Sequence, residues 1–168
     1  MKVADAASTG LPSGSTDVVV GEAMLSMQGQ PGKEAIVAEA VRLLRPGGRY
    51  AIHELALTPD TVPDATKAAI GQALSRAIRV NARPLTVAEW QELLTSYGLR
   101  IEHVATAPMA LLQPRRLIAD EGLAGALRFA ANLLIRPDAR RRVMGMRRTF
   151  RQHRQHLAAV AIIAHKPT

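Results

Sequence analysis

The pair of adjacent residues best suited to proton transfer is His53 and Glu54, within the short extended run 50–57. A histidine changes charge near neutral pH and a carboxylate accepts protons, so either side chain can act as a general base towards a hydroxyl group or an acidic carbon. A structural histidine with a satisfied hydrogen bond is the commoner case. The sequence therefore predicts His53 and Glu54 as catalytic candidates, with a structural role as the alternative for the histidine.

The remaining histidines do not have the spacing of a metal site. His153 and His156 are three residues apart on a basic segment without a neighbouring carboxylate, and the chain contains no cysteine. Histidine and thiolate ligands in characteristic spacings are what a zinc site requires. We therefore expect no metal, no disulfide and no thiol chemistry.

The charge of the chain is concentrated in one segment. The formal net charge is +8, and residues 136–154 contain eight arginines and a single acid, Asp138. Such a stripe is usually a solvated face, although it can bind nucleic acid or anionic lipid. Because aromatic residues make up only 3% of the chain, base stacking is disfavoured. Anion binding through the arginine-rich helix 138–156 is an alternative function, and a nucleic-acid partner is not expected.

The composition predicts one folded domain over residues 1–168. Hydrophobic residues make up 48% of the chain, no apolar run reaches the roughly 18 residues of a membrane span, and the N-terminus does not resemble a secretory signal. We expect a cytoplasmic protein without a membrane span.

The first half of the chain reads as a strand, a helix and a second strand. An apolar, β-branched run at residues 16–20 predicts a buried parallel strand. Residues 33–44 have apolar side chains at helical spacing, and Pro46, Gly47 and Gly48 end that helix before the strand at 50–57. Two strands joined through a helix are typical of a parallel sheet.

The second half predicts further helices and strands. Thr86 and Glu89 form a capping box for a helix that ends at Gly98. The other predicted elements are a helical insertion at about 59–84, a strand within 100–112, a second insertion at about 115–134, an amphipathic helix at 138–156 and a buried strand at 157–164.

A set of short motifs in the first 57 residues resembles one enzyme family. Asp5-Ala6, Leu11-Pro12, Asp17 and the Arg-Pro-Gly-Gly turn at 45–48 are similar to the second half of class I S-adenosylmethionine-dependent methyltransferases, particularly the ubiquinone and menaquinone methyltransferase group. The resemblance implies an α/β, Rossmann-like fold whose sheet is mostly parallel with an antiparallel last strand. It also implies S-adenosylmethionine as the cofactor.

The departures from that family concern its first half. The sequence has no glycine-rich loop after a first strand and no acidic residue at the end of a second strand. In the family, the loop approaches the methionine moiety of the cofactor and the acidic residue holds the ribose. We therefore expect a truncated, C-terminal part of such a domain, with the N-terminal strands and helices absent. By itself this chain is expected to bind S-adenosylmethionine weakly or not at all, and to be inactive.

The resemblance also assigns cofactor contacts. It implies that the Asp5 carboxylate accepts a hydrogen bond from the adenine amino group and that the Ala6 amide meets a ring nitrogen, although Asp5 can instead cap a turn. Gly21, Glu22 and Ala23 fall at the carboxyl end of a parallel strand, where ligands bind in open α/β sheets.

The expected function is methyl transfer to a small, apolar acceptor, with the two insertions covering the acceptor pocket. Apolar insertion residues such as Ile70, Leu74 and Ile78 are more often core than pocket wall. A non-catalytic interaction or regulatory module is the alternative. Because the strand at 16–20 is expected to have an unpaired edge, we also expect a homodimer.

Overall fold

The computed structural model describes residues 3–109 and 135–168, with the isolated positions 122, 125 and 128 between them. The strands are β1 (Thr16–Glu22), β2 (Leu44–Leu57), β3 (Leu85–Thr86), β4 (Arg100–Pro108) and β5 (Leu157–His165). The helices are α1 (Gln30–Leu43), α2 (Asp64–Ile78), α3 (Val87–Ser96) and α4 (Pro137–Gln152), and a 3-10 turn occupies Leu25–Met27.

All described strands belong to one sheet of order β1-β2-β5-β4, with β3 pairing with β2. Strands β1 and β3 are parallel to β2, whereas β5 pairs antiparallel with both β2 and β4. The last strand is therefore the one that runs opposite to the other four. This arrangement confirms the expected Rossmann-like sheet with an antiparallel last strand.

One face of the sheet carries the main core. Tyr50, Ile52 and Ala56 of β2 alternate along that face, and they pair with Ala164, Ile162 and Ala158 of β5, all of them buried. Helices α1 and α3 supply the covering side chains, among them Val37 and Trp90. The Trp90 indole Nε1 donates to the Leu55 carbonyl at 3.1 Å, so the largest buried side chain also satisfies its polar atom.

A second, smaller core lies beyond the carboxyl end of β2. Leu57 of β2 and Leu157 of β5 pack there against Ile70 and Leu74 of α2, together with Val62. Ile78, Met109 and Phe150 contact this cluster from its border. The described apolar residues that were considered for an acceptor pocket thus serve mainly as core.

The predicted capping box of α3 is confirmed. The Thr86 hydroxyl accepts from the Glu89 amide at 3.2 Å, and the Glu89 carboxylate accepts from the Thr86 amide at 2.7 Å. Each side chain therefore satisfies one of the amides that a helix start leaves without an intrahelical partner.

The Pro-Gly-Gly segment differs from the prediction in one respect. Helix α1 ends at Leu43, and strand pairing already begins at Leu44 rather than at Tyr50. Residues 45–48 form an irregularity within the strand, since Thr16 pairs with Leu44 and Val18 with Arg49. Gly47 and Gly48 exchange backbone hydrogen bonds with Lys166, which ties this segment to the residue following β5.

The prediction that the first strand is buried is wrong. Val18 and Val20 are 55% and 67% exposed, because among the described residues β1 pairs with β2 alone and its outward face has no covering helix. Only Gly21 of this strand is buried.

The helix predicted within residues 59–84 is present as α2, whereas the insertion predicted at 115–134 lies outside the described residues. Within the described ranges, no helix combines the length and apolarity that crossing a bilayer demands.

Candidate active site

The carboxyl ends of β1 and β2 bring two predicted site residues together. Glu22 and His53 are partners in the parallel register, and the His53 ring Nδ1 lies 2.8 Å from the Glu22 Oε1. Both side chains are more than half exposed. A histidine oriented by a carboxylate presents its other ring nitrogen to solvent, which is the arrangement that a general base needs.

The residues around Glu22 have a fixed backbone. The Ala23 amide donates to the His53 carbonyl at 2.8 Å, and Ala23 adopts a left-handed conformation with φ 49. Gly21 is buried beneath this turn, where a Cβ atom would lie 3.1 Å from the Tyr50 hydroxyl. The chain thus leaves β1 along a defined path, and the predicted cofactor residues Gly21, Glu22 and Ala23 lie next to His53.

Glu54 faces the opposite side of the sheet from His53 and is buried. One carboxylate oxygen accepts from the amides of Met24 and Leu25 at 2.9 and 2.7 Å, and the other accepts from the amide and hydroxyl of Ser26. These bonds cap the 3-10 turn between β1 and α1. The geometry therefore favours an anchoring role for Glu54, which the sequence did not predict, over proton transfer.

Asp5 lies in a tight turn ahead of β1. Its Oδ1 accepts from the Ala7 amide at 2.9 Å, and its carbonyl accepts from the Ser8 amide at 3.0 Å. The turn-capping alternative is therefore realised in the structure, while the Asp5 side chain is exposed and Ala6 half-buried. The adenine contacts of Asp5 and Ala6 stay a prediction.

A polar clamp holds this N-terminal segment against α1. Glu39 accepts from both the amide and the hydroxyl of Thr9 and pairs with Arg42 at 2.7 Å. Arg42 also donates to the Leu11 carbonyl and the Ser13 hydroxyl. The Arg42 guanidinium, with help from Thr9, lowers the pKa of Glu39 to about 2. The position of the Asp5 turn is thus set by ion pairing as well as by chain connectivity.

A cavity of about 650 Å3 lies between the start of α1, one side of α2 and the loop leading into β3. Its lining is rich in cations and amides: Gln30, Lys33, Lys67, Gln72, Arg76, Asn81 and Arg83, with Ala68, Gly71, Ser75, Ala82, Pro84 and Leu85 between them. We call this the cationic pocket. It is joined to the β1–α1 connection because the Arg83 amide donates to the Ser26 carbonyl at 2.7 Å.

Lys33 is the most unusual residue of the cationic pocket, being only 1% exposed. Its Nζ donates to the Gln28 carbonyl at 2.8 Å and lies 5.8 Å from the centre of the Trp90 ring. Burial lowers the pKa of Lys33 to about 8, with the nearby Glu54 acting in the opposite direction and Arg83 adding to the decrease. A charged amine is costly to hold at such a site unless compensating groups are close.

Sequence reasoning missed the cationic pocket. Lys33 and Arg83 are 50 residues apart in unremarkable contexts. They reach one cavity only because the loop ahead of β3 contacts the β1–α1 connection through the Arg83 amide and the Ser26 carbonyl. The available signal was a lysine at position 33 within the otherwise apolar face of α1, where Ile36, Val37 and Ala40 are also buried.

The arginine-rich helix α4 is amphipathic and has no fully buried residue. Its Arg141 and Arg142, together with Arg76 and Arg79 of α2, border an open groove of about 660 Å3. Within the residues that the structure describes, no group of three or more histidine, aspartate or glutamate side chains is placed to hold a metal ion.

Comparison with known proteins connects this geometry to one fold. A family model described as a methyltransferase domain matches residues 1–52, the part that contains Asp5, Gly21, Glu22 and Ala23. A relative described as an uncharacterized protein of Haemophilus influenzae is 31% identical over 148 residues, which is 87% of this chain and 57% of the relative. The chain therefore spans just over half the length of that relative.

Solved structures share the fold at low sequence identity. A geranyl diphosphate methyltransferase in complex with S-adenosylmethionine has a TM-score of 0.68 and 17% identity, covering 98% of this chain and 56% of its own. The [4+2]-cyclase SpnF has a TM-score of 0.66 and 15% identity, covering 99% and 55%. The chain thus has a methyltransferase-like α/β fold, and these findings support the resemblance to class I methyltransferases.

Proposed function

We propose that this protein transfers a methyl group from S-adenosylmethionine to a small acceptor, and that the present chain provides the acceptor side of the site. The observation that carries the proposal is the juxtaposition of Gly21, Glu22 and Ala23 with His53 at the carboxyl ends of two parallel strands. The first three lie inside the segment that matches a methyltransferase domain, and His53 directly follows that segment. Ligands of open α/β sheets bind at this edge.

The fold by itself does not decide the reaction, since a cyclase shares it. Methyl transfer is favoured because the family model covers the predicted cofactor residues, and because the exposed carboxylate of Asp5 and the backbone around Ala23 suit a polar cofactor. In the proposal, Asp5 and Ala6 contact the adenine while the residues at 21–23 border the remainder of the cofactor. S-adenosylmethionine supplies an activated methyl group, so positioning of the acceptor provides much of the acceleration.

His53 takes the proton of the acceptor in this proposal. In the tautomer in which Nδ1 donates to Glu22, Nε2 is the basic nitrogen of a side chain that is 53% exposed. Glu22 is then the residue that orients His53, whereas Glu54, the other candidate general base, is engaged by the 3-10 turn. The carboxylate that serves His53 comes from the neighbouring strand rather than from the adjacent position in sequence.

Cofactor binding by the chain alone is expected to be weak, with a dissociation constant well above micromolar, because no glycine-rich loop or ribose-binding acid occurs in its sequence.

In a longer form that binds the cofactor, Asp5→Ala is expected to weaken binding by about 1 to 3 kcal/mol, the cost of an unpaired buried donor. Titration calorimetry measures this, with Asp138→Ala on the exposed face of α4 as the control. Unchanged affinity in Asp5→Ala would leave Asp5 as a turn residue only.

A further inference from the structure

The cationic pocket contains more positive charge than the surrounding protein compensates. Lys67 is paired with Glu89 at 2.7 Å and with Asp64 at 3.2 Å. Arg76 and Arg83, by contrast, have no ion-pair partner among the described residues, and Lys33 donates only to a backbone carbonyl. None of the described residues that line the pocket is a carboxylate, so three cations converge there without an anion among those lining residues.

The walls of the pocket are fixed by hydrogen bonds. The Ala82 amide donates to the Ser75 hydroxyl at 2.8 Å, and a Cβ atom on Gly71 would approach the Ala82 carbonyl to 3.1 Å. These contacts hold the loop ahead of β3 closely against α2. Since the Arg83 amide also donates to the Ser26 carbonyl, hydrogen bonds fix the backbone at Ala82 and Arg83 to both sides of the pocket.

The pocket also contains donors that complement an anion. Gln72 and Asn81 line it with side-chain amides, and Asn81 accepts from Arg83 through its oxygen, at 3.3 Å. The Gln30 amide, which also lines the pocket, donates to Glu34, and Lys33 is buried there rather than on the surface. Burial of a lysine amine is costly, and an anion in the pocket would offset that cost by pairing with it. Arginine and lysine side chains around a cavity of this size suit the several oxygens of a phosphate group.

We propose that the cationic pocket binds a phosphate group of the acceptor, so that the substrate class is a small phosphorylated molecule. The inference rests on the proposed function, and it changes the expectation of a purely apolar acceptor. The pocket is connected to the candidate active site through Ser26, which Glu54 holds. Glu54 directly follows His53 in β2, with its side chain on the opposite face of the sheet. A phosphate bound there would place the rest of the acceptor near the carboxyl edge of the sheet.

The test is calorimetric titration of the chain with inorganic pyrophosphate, without any cofactor. Binding is expected in the micromolar to millimolar range, and the double variant Arg76→Gln plus Arg83→Gln is expected to weaken it at least about tenfold, since two of the uncompensated cations are lost. Arg100→Gln is the control for the loss of one charge at an exposed position on β4, whereas the double variant removes two charges. Arg100→Gln is expected to stay within about twofold of the parent.

Several results would overturn the proposal. They are the absence of pyrophosphate binding at millimolar concentration, an equal loss in Arg100→Gln, or tighter binding of the tricarboxylate citrate than of pyrophosphate. A loss confined to Arg141→Gln plus Arg142→Gln would place the anion in the groove beside α4 instead. Both arginines of the main double variant are exposed, so their substitution should not disturb the fold. Circular dichroism verifies this.

Lys33→Met is an independent test, since it removes the buried amine while retaining an apolar side chain. We expect a folded Lys33→Met variant to lose pyrophosphate binding. Unchanged binding would contradict the proposal. Because the titration contains no cofactor, an absence of pyrophosphate binding would not count against the proposed methyl transfer. Pyrophosphate binding by this chain, together with no methyl transfer by a longer form that binds the cofactor, would instead identify an anion site and refute the proposed reaction.

Discussion

At the scale of single residues, the two neighbours His53 and Glu54 have different environments. A strand turns successive side chains to opposite faces, so His53 reaches solvent beside Glu22 while Glu54 enters the protein and binds the 3-10 turn. The partners of Glu54 lie 28 to 30 residues earlier in the chain. No local pattern around position 54 indicates those partners, which is why the sequence could propose the pair but not separate the two roles.

Glu54→Gln is expected to lower the free energy of unfolding by about 2 to 4 kcal/mol. The amide nitrogen of glutamine is a donor where Glu54 accepts, so buried amides of the 3-10 turn would lose their partner. Denaturant unfolding measures the change. Glu34→Gln, on the less buried side of α1, is the control and should remain within about 0.5 kcal/mol. Equal stability of the two variants would contradict the anchoring role.

The clamp between Glu39, Arg42 and Thr9 predicts a stability change at acid pH. Because the pKa of Glu39 is lowered from 4.5 to about 2 in the folded protein, its contribution is complete above the unfolded value and is lost as the pH falls towards 2. The difference in unfolding free energy between the parent and Glu39→Gln should therefore be constant above about pH 5 and shrink between about pH 4.5 and 2. Urea unfolding across that range measures it. A difference that persists at pH 2 would contradict the assignment.

At the scale of elements, sequence patterns predicted the features that residues close together in the chain form with each other. Thr86 and Glu89 are three residues apart and make the capping box of α3 unaided by the rest of the fold. The exposure of Val18 and Val20 depends instead on which strands and helices surround β1. The cationic pocket likewise depends on the contact between the loop ahead of β3 and the β1–α1 connection. The helices α2 and α3 and, through the family resemblance, the antiparallel last strand were thus predicted, whereas the exposure of β1 and the pocket lining required the assembled structure.

The irregular start of β2 depends on a glycine at position 48. A Cβ atom there would lie 3.0 Å from the carbonyls of Arg45 and Asp17 and from the Leu44 side chain. We expect Gly48→Ala to destabilise the protein by about 1 to 3 kcal/mol through overpacking. Gly145→Ala in α4 meets nothing within 4 Å, and it should instead be neutral or stabilising by up to about 1 kcal/mol. Thermal unfolding of both variants measures the contrast, and matching shifts would refute the steric explanation.

At the scale of the whole molecule, we propose that the exposed edge of β1 mediates self-association. Val18 and Val20 present apolar surface next to backbone groups that no described strand pairs, an arrangement that promotes strand pairing between chains. We expect a homodimer in sedimentation velocity at about tens of micromolar. Val20→Lys should shift it towards monomer, whereas Val80→Lys, at another exposed valine, should not. A stable monomer of the parent chain would contradict this assembly.

The central claim is that the carboxyl edge of β1 and β2, with the turn at Asp5, forms one side of an S-adenosylmethionine site. Its most direct test is a titration of the isotopically labelled chain with S-adenosylhomocysteine, followed by amide chemical shifts up to millimolar ligand. The account predicts weak, saturable shifts concentrated at residues 5–6 and 21–23, with Arg100 and Glu102 of β4 unaffected. Shifts that are absent at those positions, or that occur mainly along α4, would contradict it.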